Sequence, residues 1–193
     1  MLARRNSKRL LVVGAGRVAA LVPEAFRQVL PIEAVQVWAR QASQAKALVD
    51  ELRDGGFEAS VASDLAAAVA RADVVSCATL ATAPVVQGAW LSPGSHLDLI
   101  GSFTPKMREA DDACFAGARL FVDTSEALQK SGDLLGPMSR GVFSVQDVCG
   151  NLAELCAGAV PGRSADDQRT VFKSVGTALE DLAAAALVFE ASA

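Results

Sequence analysis

The sequence predicts an α/β fold: a doubly wound, mostly parallel sheet with a carboxy-terminal extension of helix and strand. Three observations carry this prediction. Leu10–Ala19 (LLVVGAGRVA) is a buried-strand run that breaks into a glycine turn and then a helix. Short β-branched runs then alternate with longer helical segments, the pattern of repeated βαβ units. Finally, 51% of the 193 residues are hydrophobic, only 5% are aromatic and tyrosine is absent, as in an alanine-rich core of single-domain size.

Each element has its own local reason. After the glycine turn, Arg17–Leu30 reads as a helix stopped by Pro31, and Ala34–Trp38 (AVQVW) as the second strand. Ala42–Arg53 is a helix stopped by Gly55 and Gly56, and Phe57–Val61 is a third strand. Asp64 caps a helix over Leu65–Arg71, and Asp73–Cys77 (DVVSC) is the fourth strand. His96–Ile100 (HLDLI) gives a fifth strand, Arg108–Ala116 a short helix, and Leu120–Asp123 (LFVD) a sixth strand that completes the doubly wound sheet. Beyond it come a loop rich in Gly, Ser and Pro, a helix from about Val145 to Ala157, a turn at Pro161-Gly162-Arg163, and a strand-like TVFKS from Thr170. In the long final helix Leu179, Leu182, Ala186 and Phe189 form a stripe, with Glu180, Asp181 and Glu190 off it. Residues 1–145 are therefore expected to form the sheet domain and 146–193 a helical extension packed on it.

The totals exclude several roles. A net charge of −4 and 18 Lys and Arg without a basic face or aromatic platform argue against nucleic acid. No run approaches the roughly 20 apolar residues that cross a bilayer, so no membrane partner is expected. Arg4, Arg5, Lys8 and Arg9 precede an apolar run as in a signal peptide, but Arg17 interrupts that run, and a cytoplasmic setting is expected. Cys77, Cys114, Cys149 and Cys156 form no CxxC pair and have no metal-ligand spacing, so reduced, buried thiols are expected. Cys149 and Cys156, seven apart, would share one helix face. His96, the sole histidine, leads into an apolar strand and reads as structural rather than catalytic.

The glycine turn carries chemistry. Gly14 and Gly16 allow a tight turn and close approach to phosphate, and Ala19 lets the helix pack on the strand. Backbone amides of Gly14, Ala15, Gly16, Arg17 and Val18 would then face a dinucleotide pyrophosphate at a helix amino terminus. The other reading is an ordinary βα turn. At the end of the second strand, where NAD sites place a carboxylate for the ribose, the sequence reads Trp38-Ala39-Arg40-Gln41. Arg40 suits a 2′-phosphate, which favours NADP (NADPH), with NAD possible and a solvated surface arginine as the alternative. Glu109 and Asp111 read as charge at a helix start, as do Glu180 and Asp181 on the last helix. Lys173 reads as a solvated lysine, with contact to substrate or phosphate as the alternative.

Several motifs together resemble the ornithine cyclodeaminase and mu-crystallin family. They are GAGRVA at 14–19, VWAR at 37–40, ADVVSCAT at 72–79 with Pro84, GSFTPKMREAD at 101–111, FVDTSEA at 121–127 and, most specific, TVFKSVGTALEDLAAA at 170–185. The resemblance covers nearly the whole chain and implies a Rossmann fold that holds NAD(P). Ala78 and Thr79 would pack on ribose and adenine, and Ser102, Val175 and Gly176 would approach the nicotinamide; alternatively Thr79 caps a turn, and Val175 and Gly176 begin the last helix.

The resemblance also implies a separate upstream domain that supplies the substrate pocket, a homodimer interface, a substrate-carboxylate arginine and a catalytic lysine. LARRNSKRL at 2–10 resembles the segment entering the family's first strand, so the sequence is expected to start inside a longer protein, with a genuinely short protein as the alternative. No catalytic residue can then be assigned in this chain. Where ornithine cyclodeaminases carry an aspartate, this loop reads Gly101-Ser102-Phe103-Thr104-Pro105, and the benzyl group of Phe103 cannot exchange a proton. The implied activity is thus reduction of a cyclic imino acid such as Δ1-pyrroline-2-carboxylate. The alternatives are ornithine cyclodeaminase, a lyase giving proline and ammonia, and a non-catalytic NADP-binding module.

Overall fold

The computed structural model describes residues 1–192. Its elements run β1 (Arg9–Val13), α1 (Arg17–Arg27), β2 (Ala34–Trp38), α2 (Ala42–Asp54), β3 (Glu58–Val61), α3 (Leu65–Arg71), β4 (Val74–Cys77) and β5 (His96–Leu99). They continue with β6 (Arg119–Val122), α4 (Ala127–Lys130), α5 (Gly132–Ser139), β7 (Val148–Asn151), α6 (Leu152–Cys156), β8 (Thr170–Lys173) and α7 (Ala178–Ala191). Eight parallel strands form one sheet in the order β3-β2-β1-β4-β5-β8-β6-β7.

Alternation along the central strands explains the double winding. Leu10 and Val12 of β1 pack on one face with Ala19 and Val22 of α1 and Ala45, Leu48, Val49 and Leu52 of α2. Leu11 and Val13, pointing the other way, join Ala68 and Val69 of α3 and Leu97 and Leu99 of β5. Because both faces are covered, the strands read as continuous apolar runs.

The segment entering β1 is held by Asp73, whose carboxylate accepts from the amides of Lys8 at 3.0 Å and Arg9 at 2.9 Å and from the Arg4 guanidinium at 2.8 Å. Burial raises its pKa, but the Arg9 side chain and the two amides outweigh that and hold it at about 2. At the same end of the sheet, His96 is buried with Nδ1 2.9 Å from Thr170 Oγ1, and burial together with the nearby Arg163 charge depresses its pKa to about 3. It is neutral and structural, as its sequence context suggests.

The second half departs from the sequence reading in five ways. The expected helix over 108–116 does not form, because its backbone groups are engaged elsewhere. The amides of Glu109 and Ala110 donate to Asp133, and the Glu109 carbonyl accepts from Val85 and Val86. Only a single 3₁₀ turn, Asp112–Cys114, remains. The expected helix over 145–157 is instead a 3₁₀ turn, the edge strand β7 and the short α6, and the expected loop after β6 contains α4 and α5. Cys149 therefore lies in a strand and Cys156 on an exposed helix end, so only Cys77 and Cys114 are buried thiols. Finally, the segment after 145 is no mere helical extension: it supplies two of the sheet's strands, and β8 inserts between β5 and β6.

On α7, Leu179, Leu182, Leu187, Val188 and Phe189 are each at least 64% exposed, and Leu187 and Val188 lie off the stripe read from sequence. Clustered apolar surface of this kind drives association. Light scattering across a concentration series is expected to show masses above the 20.0 kDa of one chain. A constant 20.0 kDa would show that water tolerates this helix face.

Candidate functional site: a dinucleotide cradle at the carboxyl ends of the strands

The carboxyl ends of β1, β4 and β5, at the centre of the sheet, carry the residues that the glycine pattern and the resemblance single out. In open parallel sheets this edge is where ligands bind. Gly14 follows β1 with φ +125° and donates its amide to Trp38 O at 2.8 Å, tying the turn to the end of β2. A Cβ there would lie 2.6 Å from the Ala78 carbonyl, so the close approach of the turns after β1 and β4 requires glycine. Gly16 differs: it is exposed, extended at φ −88°, and a Cβ would meet nothing within 4 Å.

Gly16 is also the cap residue that precedes α1, and no side chain caps that helix. The first amides of a helix have no partner within it, and α1 carries no acidic residue in its first turn. Arg17 and Val18 are exposed there, while Ala15 is half-buried and Ala19 packs fully on the sheet. Open space, unpaired donors, the positive end of the helix dipole and the Arg17 charge together make a cradle for an anion.

Arg40, exposed two residues after β2 ends, forms no ion pair among the described residues. Its guanidinium is thus placed at the strand end where an adenosine ribose is read in this fold. Two shallow concavities, one around Leu91 and Arg169 and one around Met138 and Phe143, contain none of these residues.

The other sequence-derived positions converge on the same edge but are committed to the protein in specific ways. Thr79, just after β4, donates both its amide, at 2.6 Å, and its hydroxyl, at 2.8 Å, to Glu109 Oε1. The Thr79 hydroxyl also accepts from the amide of Ala81, so the turn-forming reading of Thr79 is present in the geometry. Ala78 is half-buried, with its amide donating to Val13 O. Asp123 at the end of β6 accepts from the amides of Val175 at 2.6 Å and Gly176 at 2.8 Å, and Gly176 needs its φ of +82° to complete that turn. Val175 can therefore present its side chain and carbonyl to a ligand, and Gly176 its carbonyl, but neither presents its amide.

Ser102 is fully buried: its hydroxyl donates to Met107 O and lies 3.2 Å from Ser131 Oγ. Its side chain thus stabilises the loop after β5 and does not face the crevice. Phe103 beside it is 47% exposed.

Sequence reasoning missed the floor of this site. Glu109 and Lys173 are buried with no exposure at all, not a surface helix start and a solvated lysine. The signal for Lys173 was weak but present: it follows Val171 and Phe172 in a strand short enough to lie wholly inside the sheet. Glu180 and Asp181 remain exposed on the first turn of α7, as expected of charges at a helix start.

The sequence matches the profile of the Ornithine cyclodeaminase/mu-crystallin family over residues 1–193. The chain belongs to this family. Among curated members of the ornithine cyclodeaminase/mu-crystallin family, it is 48% identical over 192 residues to the Delta(1)-pyrroline-2-carboxylate reductase of Paracoccus denitrificans, covering 97% of this chain and 60% of that protein. Among solved structures, it superposes on the Thermococcus litoralis Delta(1)-pyrroline-2-carboxylate reductase in complex with NADH and L-proline with a TM-score of 0.95 at 34% identity. That match covers 98% of this chain and 59% of the other. An archaeal alanine dehydrogenase dimer with bound NAD gives a TM-score of 0.92 at 34% identity, over 98% of this chain and 58% of that one. The chain thus spans about 60% of the length of the relatives it matches.

Proposed function

We propose that this chain is the dinucleotide-holding part of an NAD(P)H-dependent reductase of cyclic imino acids, acting on a substrate of the Δ1-pyrroline-2-carboxylate type and preferring NADPH. The observation that carries this reading is the open, uncapped turn at Gly16–Val18, which offers backbone donors and positive charge where a pyrophosphate would rest. Similarity to pyrroline-2-carboxylate reductases supports the substrate class. The bound dinucleotide would supply the hydride equivalent that reduces a C=N bond. The chain's own residues bind and orient it: Gly16, Arg17 and Val18 at the pyrophosphate, Arg40 at the adenosine end, the turn at Ala78–Thr79 against ribose and adenine, and the turns at Gly101–Phe103 and Val175–Gly176 around the nicotinamide half. A homodimer is the expected assembly, supported by the dimeric alanine dehydrogenase relative.

Phe103 favours reduction over ammonia elimination, because its exposed ring stands in the loop where a cyclodeaminase needs a proton-exchanging carboxylate. The test is to follow NADPH oxidation with Δ1-pyrroline-2-carboxylate and, separately, release of ammonia from ornithine. Oxidation without ammonia release supports the reductase, and ammonia release without net NADPH consumption overturns it. Binding without either reaction confines this chain to cofactor holding.

Cofactor preference has its own test. Arg40→Ala is expected to weaken NADPH binding about 10- to 100-fold through loss of a charge-assisted phosphate contact while leaving NADH binding unchanged. Fluorescence titration of both cofactors measures this, and an unchanged NADPH to NADH ratio would remove Arg40 from the site.

A further inference from the structure

Beneath the crevice lies a buried cluster of ionisable groups that touches neither the pyrophosphate cradle nor Arg40. Lys173, at the end of β8, donates from Nζ to Leu99 O at 3.0 Å and lies 3.9 Å from Asp133 Oδ2. That carboxylate oxygen is buried and has no hydrogen-bond partner among the described residues. The other oxygen of Asp133 accepts from the amides of Glu109 at 2.8 Å and Ala110 at 3.1 Å. Glu109 in turn accepts from Thr79 twice through Oε1 and from the Gly101 amide at 2.7 Å through Oε2. Asp98, held by the Ser76 hydroxyl at 2.7 Å, and the Cys77 thiol complete the groups that face Lys173.

The hydrogen bonds favour the charged form of these carboxylates. Both oxygens of Glu109 receive N–H or O–H donors, which stabilises its ionised form. Asp133 Oδ1 likewise receives two amides. Ionised carboxylates excluded from water need a counter-charge, and for Glu109, Asp133 and Asp98 the cation among the described residues in this cluster is Lys173. Burial pushes the carboxyl groups of Glu109 and Asp133 up and the Lys173 ammonium down, while their mutual attraction opposes both shifts.

We propose that Lys173 is a positioning residue: its charge balances Asp133 and Glu109, and through them it fixes the Thr79 and Gly101 turns that border the dinucleotide. The closeness of those turns leaves little slack. A Cβ at Gly101 would sit 2.0 Å from Thr79 O, so a small displacement of either turn moves the other. The proposal rests on reading this edge as the cofactor site, and its test separates the two.

Wild-type protein is first titrated with NADPH; failure to bind would overturn the cofactor reading alone. Lys173→Met is then examined by infrared spectroscopy at pH 8 and by NADPH titration. The variant is expected to show a protonated-carboxyl band that the wild type lacks, since one of the carboxylates that faced the lysine takes up a proton, and to bind NADPH about 10-fold more weakly. Lys173→Met combined with Asp133→Asn has the wild-type net charge and keeps the amide-accepting oxygen. It is expected to lose the band and to recover NADPH affinity to within about 3-fold of wild type. If the single variant does not fold, recovery of folding and binding in the double variant supports the proposal. No carboxyl band in a folded single variant, or a double variant no better than the single, overturns it.

Discussion

Glu109→Leu is expected to lower the free energy of unfolding by about 3–5 kcal/mol, a drop of about 10 °C in Tm for a chain of this size. The substitution puts an apolar side chain into a site with no solvent access but strips the acceptor from three donors: the Thr79 amide, the Thr79 hydroxyl and the Gly101 amide. Each donor then pays a desolvation penalty of about 1–3 kcal/mol with no bond in return. The turns after β4 and β5 would separate, so NADPH affinity should fall along with stability. Urea denaturation read by circular dichroism measures the first effect and cofactor fluorescence the second. A loss below about 1 kcal/mol would mean that the orphaned donors find water or another acceptor.

Gly16→Val should have the opposite profile, with stability kept and cofactor binding lost. The backbone at Gly16 (φ −88°, ψ −178°) suits any residue, and a side chain there points into open space. That space is where the pyrophosphate would lie, and a branched side chain would hold phosphate oxygens away from the amides of Arg17 and Val18. Losing two charge-assisted bonds of about 1.5–3 kcal/mol each raises Kd by about 100-fold or more. Thermal melting should shift by no more than about 2 °C. Gly14→Ala would be a poor substitute, because φ +125° and the 2.6 Å approach to Ala78 O couple that position to the fold itself. Unchanged affinity in Gly16→Val would remove the cradle from the cofactor site.

The first half of the molecule was legible because its signals are local. LLVVGAGRVA contains the strand, the turn and the helix start that the structure shows, and Arg40 stands at the strand end where spacing put it. What lay beyond reach depended on which strands become neighbours. Lys173 looked solvated because nothing in TVFKS announces that β8 lies between β5 and β6, where its side chain meets Asp133 from a helix forty residues earlier in the chain. Glu109 looked like a helix start because its backbone partners, Val85, Val86 and Asp133, are all remote in sequence. The resemblance brings Ser102 toward the nicotinamide, and no local signal in the sequence announces that its hydroxyl is buried against Met107 O. Edge strand β7, with a register shift opposite Leu120 and Phe121 and a glycine in its middle, lacks the alternation that would have revealed it.

The place of β8 also dictates how the molecule can come together. β5 has no partner on its far side except β8, and the β6–β7 pair reaches the rest of the sheet only through that same strand. During synthesis the five-stranded half emerges with β5 as an open edge, and roughly seventy further residues must leave the ribosome before Thr170–Lys173 can zip the halves together. Until then the exposed edge is a template for foreign strands, which makes nascent and truncated forms ending before Thr170 the ones most in need of chaperones.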